Sequence, residues 1–335
     1  MWFLYKQMSN IRNRYKGSKL KILIIITLIL SSIYAANIKQ PISQFSSSGA
    51  VVDLVLYKDL LYSATDASCV DIFNINTKKI VDKITVDKIT DFMGDIIDSK
   101  VYSVDIFDEK VLILSQAKKG YRRVHISTND KLELVIPFSH KLYIAKAKFI
   151  DKNTILLALL SNEIISYDII NKKENWRIQI SQSKFSNFVL NENKNEVIIA
   201  DESGDLKILN TKNGSLIKKL TGQNLDNVFQ VDYKNSIVAT AGQDRRVVIY
   251  NTNSSTAYYK TSPFLIYSVG LSPSGKIAAY SSDENNNVSV FKTNTKSILG
   301  KFGGNKMTLT NIVFINENEF LVSSDDNTIN MYKIK

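Results

Sequence analysis

The chain has 335 residues, 44% hydrophobic and 22% charged, with a formal net charge of +11, one cysteine and two histidines. A single cysteine excludes a disulfide framework and a Cys-x-x-Cys-His haem attachment, and His125 and His140 stand at no metal-ligand spacing, so no cofactor is expected. Six of the 43 basic groups and none of the 32 acidic ones fall in residues 1–35, so the remainder carries only +5 and a nucleic-acid partner is not expected.

In chain order, Lys6, Arg12, Arg14, Lys16, Lys19 and Lys21 precede a nearly unbroken apolar run from Ile22 to Ile33. About a dozen apolar residues is short of the roughly 18 that span a bilayer, so the segment reads as a secretory signal cleaved after Ala35. The mature chain is therefore expected in the periplasm, touching a membrane only where the signal stays uncleaved. Residues 36–335 are expected to form one domain. Cys69, alone in an apolar strand, reads as a small buried hydrophobe.

Beyond residue 50 the chain alternates short apolar strands with polar turns. The first group is Ala50–Leu56, Leu60–Thr65, Cys69–Asn74 and Lys79–Thr85, and V-D-I-F-N-I within it has period two. The second is Val101–Phe107, Val111–Gln116, Arg122–Ser127 and Leu132–Ile136. The continuous run I-L-L-A-L-L in the third suits a strand covered on both faces. In the fifth, S-I-V-A-T-A-G-Q-D-R-R-V-V-I-Y-N-T (236–252) is a hairpin that resembles the centre of a WD-type repeat. Taking Tyr250 as its anchor, equivalents fall at Phe73, His125, Tyr167, Leu209, Phe291 and Tyr332, with successive spacings of 52, 42, 42, 41, 41 and 41 residues. That period predicts an all-β, seven-bladed WD-like β-propeller. Asp244 and Asp326, six residues before their anchors, are expected to hold turns, and His125 to be a packing residue. The seventh group ends after three strands, so Ile38 to Phe45 are expected to complete it and close the ring, with Pro41 tolerated on an outermost strand.

One spacing is about ten residues too long, and the excess is Val86 to Lys100, V-D-K-I-T-D-F-M-G-D-I-I-D-S-K. Loops between blades and the second turn of each blade share a face in this strand order. The insertion, with Asp91, Phe92, Met93 and Asp95, should therefore adjoin the basic turn with Lys118, Lys119, Arg122 and Arg123. Exposed Phe, Met and Arg suit a protein-docking patch. No G-x-S-x-G elbow, phosphate-cradling loop or His-Glu-x-x-His helix occurs, so catalysis is not expected.

The exported propeller and the stretch D-F-M-G-D-I-I-D-S-K-V-Y-S-V-D (91–105) together resemble the NapL-type family of WD-like periplasmic accessory proteins, associated with nitrate reductase systems of epsilon-class proteobacteria. The resemblance implies a non-catalytic role supporting the molybdenum-containing reductase, with a reductase component as partner. A monomer is expected. The competing classes are an envelope scaffold of the quinoprotein-like kind, which usually carries a lipid-anchoring Cys and tryptophan docking motifs, and a propeller enzyme of the lactonase or lyase type.

Overall fold

A computed structural model of the protein describes residues 38–335; the expected signal and its cleavage point lie outside the described residues. The described chain is all-β apart from two single 3-10 turns, Lys118–Gly120 and Phe138–His140. Seven antiparallel meanders follow one another as blades 1 to 7 of a propeller. Their innermost strands are Val51–Tyr57, Val101–Phe107, Ile144–Phe149, Phe185–Leu190, Val228–Lys234, Val269–Leu271 and Leu309–Phe314.

Burial follows each strand's rank in its blade. Leu61–Thr65 on the second strand of blade 1 are all buried, whereas the outermost strand Lys79–Thr85 exposes every residue but Ile84. The apolar runs are thus the strands sandwiched between neighbouring blades, and the Lys-rich ones face solvent. The buried residues separate into seven clusters, each bridging one pair of adjacent blades. Every anchor is buried, with Tyr332 and Phe291 at 0% exposure. Turn chemistry matches: Gly275, with φ +70°, ends the first turn of blade 6 where a Cβ would come within 2.6 Å of the Lys234 carbonyl oxygen.

Blade 2 departs from the repeat in one respect. Phe73 pairs with Leu61, the second residue of its strand, but the residue so placed in blade 2 is Ser127, opposite Val111, whereas His125 pairs with Ile113. The longer second turn of blade 2 moves His125 one pleat toward that turn, still buried, so the anchor spacing read from sequence is offset there.

Closure is by the N-terminal segment, in two pieces rather than one strand. Ser43–Ser46 completes blade 7 by pairing with Thr328–Met331, and Phe45 packs edge-on against Phe73 with ring centroids 5.5 Å apart, in the cluster between blades 7 and 1. Ile38–Lys39 instead lies beside the outermost strand of blade 6, Ile298–Phe302, and Gly303 donates its N–H to the Lys39 carbonyl at 2.9 Å. Pro41 sits where the segment passes from one blade to the next. It has no N–H to donate to either ladder, which accounts for the break.

Candidate functional site

The insertion is a small hairpin with its own two-stranded ladder, Ile89–Thr90 against Ile96–Ile97. Its turn is built by Asp91, whose carboxylate Oδ1 accepts the backbone N–H groups of Met93 (2.8 Å) and Asp95 (2.9 Å), while the Asp91 N–H bonds the Asp95 carbonyl. Gly94 supplies a φ of +96°. This geometry turns outward the residues between the two aspartates: Phe92 is 94% exposed, Met93 73% and, on the return strand, Ile96 76%. Asp95 is exposed as well.

The stem is fixed to blades 1 and 2. Asp98 pairs with Lys88 at 3.0 Å and accepts from Ser68 Oγ at 2.8 Å, and these two bonds hold its carboxyl below the usual carboxylate range. Ser99 accepts at Oγ from Arg123, which also donates to the Asp87 carbonyl at 2.7 Å. Lys100 and Gln116 exchange backbone bonds, since the Gln116 N–H donates to the Lys100 carbonyl and the Lys100 N–H to the Gln116 side-chain oxygen. The insertion and the basic turn are therefore neighbours on one face, as the strand order requires.

The eight residues singled out from sequence divide by role. Phe92, Met93, Asp95, Lys118 and Lys119 are exposed. Asp91 builds the turn. Arg122 lies over the Tyr102 ring at 3.9 Å and donates to the Gly120 and Tyr121 carbonyls, and Arg123 ties the stem; burial lowers the pKa of both guanidiniums. Among the described residues no salt bridge joins Asp91 or Asp95 to the basic turn. Beneath it lies His125, whose pKa is pushed down to about 4, first by burial and then by Arg123. It is a neutral packing residue, with an Nε2 that finds no hydrogen-bond partner.

The opposite face, where the first turn of each blade lies, opens into the central channel as a cavity of about 700 Å³. Its charged side chains brace the ring. Asp53, Asp105 and Asp232 on innermost strands each accept an N–H from the following blade's innermost strand: Val104 at 3.1 Å, Phe149 at 2.7 Å and Leu271 at 2.8 Å. Lys148 pairs with Asp53 at 3.1 Å and donates to the Val104 carbonyl at 2.7 Å. Burial opposes its charge, but Asp53 and Asp105 outweigh that and hold its pKa above the ordinary lysine value. Lys194 lies 3.5 Å from Asp105 and donates to the Phe149 carbonyl. Sequence reading passed over these residues, although an Asp inside an apolar innermost strand, as in V-V-D-L-V-L or Y-S-V-D-I-F, was the available signal.

The remaining marked residues are structural. Asp244 accepts from the Leu225 and Arg246 backbone N–H groups, and Asp326 from Thr328 N–H and Ser324 Oγ. Cys69 is 2% exposed beside Thr65, and burial raises its pKa. Trp176, not singled out above, is half-buried and donates its indole N–H to the Thr211 carbonyl. Compared with protein-family models and with curated proteins, the chain matches none.

Proposed function

We propose that the protein is a non-catalytic, exported interaction propeller that docks another periplasmic protein through the hairpin Ile89–Ile97 and the adjoining Lys118–Lys119 turn. The observation that carries the reading is the exposure of Phe92, Met93 and Ile96 on a hairpin whose stem is fixed by hydrogen bonds on both sides. A stem fixed by hydrogen bonds lowers the backbone ordering cost of association, and exposed aromatic and Met side chains bury large apolar area. Lys118 and Lys119 would steer an acidic partner in a salt-dependent manner. The partner we favour is a component of a periplasmic nitrate reductase system, on the strength of the resemblance carried by residues 91–105.

The test is photocrosslinking in the periplasm of nitrate-grown cells, with a benzophenone amino acid in place of Phe92 and, as control, in place of Ile170, which is 61% exposed on the other face. A reductase component crosslinked from position 92 and not from 170 is the expected outcome. Crosslinks from both positions alike would remove the hairpin from the reading. Unchanged periplasmic nitrate reduction in a strain lacking the gene would remove the reductase and favour the envelope-scaffold alternative.

A further inference from the structure

Four lysines line the channel, and the circumstances of Lys146, Lys148 and Lys194 differ. Lys148 and Lys194 each have a carboxylate partner, at 3.1 and 3.5 Å. Lys146, on the same innermost strand as Lys148, has none: among the described residues its one hydrogen-bond acceptor is the Asn187 side-chain oxygen at 2.9 Å, with the Phe188 ring 5.5 Å away. An ammonium group has three N–H donors, so two remain. Asp232 is engaged elsewhere, its two oxygens accepting backbone N–H groups from Tyr233 and Leu271, and among the described residues no salt bridge joins it to Lys146. Lys146 and Asn187 line the same cavity of about 700 Å³, a size suited to a small molecule, and Leu54, Val231, Val269 and Ile312 contribute apolar wall.

We infer that the channel mouth binds a small monocarboxylate, its two oxygens held by Lys146 and the Asn187 amide and its apolar body against the wall. A metal ion is disfavoured because among the described residues no three His, Cys, Asp or Glu side chains gather as a metal set. A polyanion is disfavoured because Asp53, Asp105 and Asp232 stand around the lysine. A single negative charge would meet the Lys146 N–H groups that have no acceptor among the described residues. The Lys146 ammonium titrates near 8, lowered first by burial and next by Lys148, against the opposing pull of Asp53, Asp105 and Asp232. Binding should therefore fade as pH rises through that value. This inference is independent of the docking hairpin, which lies on the other face.

The test is calorimetric titration of the exported protein with benzoate and, as its uncharged counterpart, benzamide. Saturable binding of benzoate, with benzamide on the order of tenfold or more weaker, is expected. Lys146→Met should weaken benzoate by a similar factor, Asn187→Ala by less, and Lys118→Met on the opposite face not at all. Thermal melting checks that each variant is folded, and Lys146→Arg, which keeps the charge, should retain binding if Lys146→Met does not fold. Between pH 7 and 9.5 the wild-type affinity for benzoate should fall. No saturable benzoate binding, equal affinity for benzamide, or affinity indifferent to both pH and Lys146→Met would each overturn the inference.

Discussion

The two faces of the ring use charge in opposite ways. On the channel side Asp53, Asp105, Lys148 and Lys194 are withdrawn from water and tied to one another and to the backbones of neighbouring blades, with Lys146 left over. On the insertion side Lys118, Lys119 and Asp95 are solvated, and the half-buried Arg122 and Arg123 position the turn and hairpin. Similar residue types thus do different work according to depth. A charge near the axis is committed to holding blades together, because leaving it unpaired there is costly, whereas a charge at the rim is available to a partner.

The contrast can be broken most forcefully at Asp53. Asp53→Ala strands the Lys148 ammonium and frees the Val104 N–H, and chemical denaturation should register a loss of about 3–5 kcal/mol. Next in size is an acid effect beneath the basic turn. The folded-state pKa of His125, about 4, lies below its unfolded value near 6.5, so its contribution is complete above pH 6.5 and disappears as pH falls through 4. Stability measured across that window should drop by on the order of 2–3 kcal/mol, and His125→Leu should flatten that limb. A loss that survives the substitution would assign it to other groups. Smaller again is Arg123→Ala, which removes the bonds to Asp87 and Ser99; about 1–2 kcal/mol is expected, together with faster amide exchange at Ile89 and Thr90. Smallest of all is the double change Phe92→Ser, Met93→Ser. Melting should be unaltered within about 0.5 kcal/mol while partner capture is lost, and a large drop in stability would show the tip to be structural.

The repeat was plain in the sequence because six of the seven blades place one large residue at the same point of the third strand, at nearly constant spacing from blade 3 onward, and a buried strand of fixed length cannot vary much. Closure by residues near 38–45 was legible from the missing strand, but its division at Pro41 was not, since a two-residue strand such as Ile38–Lys39 carries no periodic pattern. The insertion was visible as excess length, whereas its hairpin rests on an Asp91 turn and two-residue strands that composition cannot distinguish from loop. The five exposed docking candidates were separated from Asp91, Arg122 and Arg123 only by seeing which hydrogen bonds each makes. Lys146 was illegible for a different reason. Its isolation depends on which blades stand beside it, and nothing in I-A-K-A-K-F tells the first lysine from the second.

Gln44 donates to Asn330 from 286 residues away, and it does so within the strand pair that joins the two ends of the ring. A chain delivered from its N-terminus presents the Ser43–Ser46 strand first and its partner last, so blades 1 to 6 can assemble while the seam is still open. Until Thr328–Lys333 arrives, Ser43–Ser46 is unpaired, Phe45 has no cover from Ile329, and the face of blade 1 toward blade 7 is incompletely covered. Closure is therefore a late, long-range event with a slow search, and the interval before it is the period of greatest exposure to proteases and to pairing with another chain's open edge.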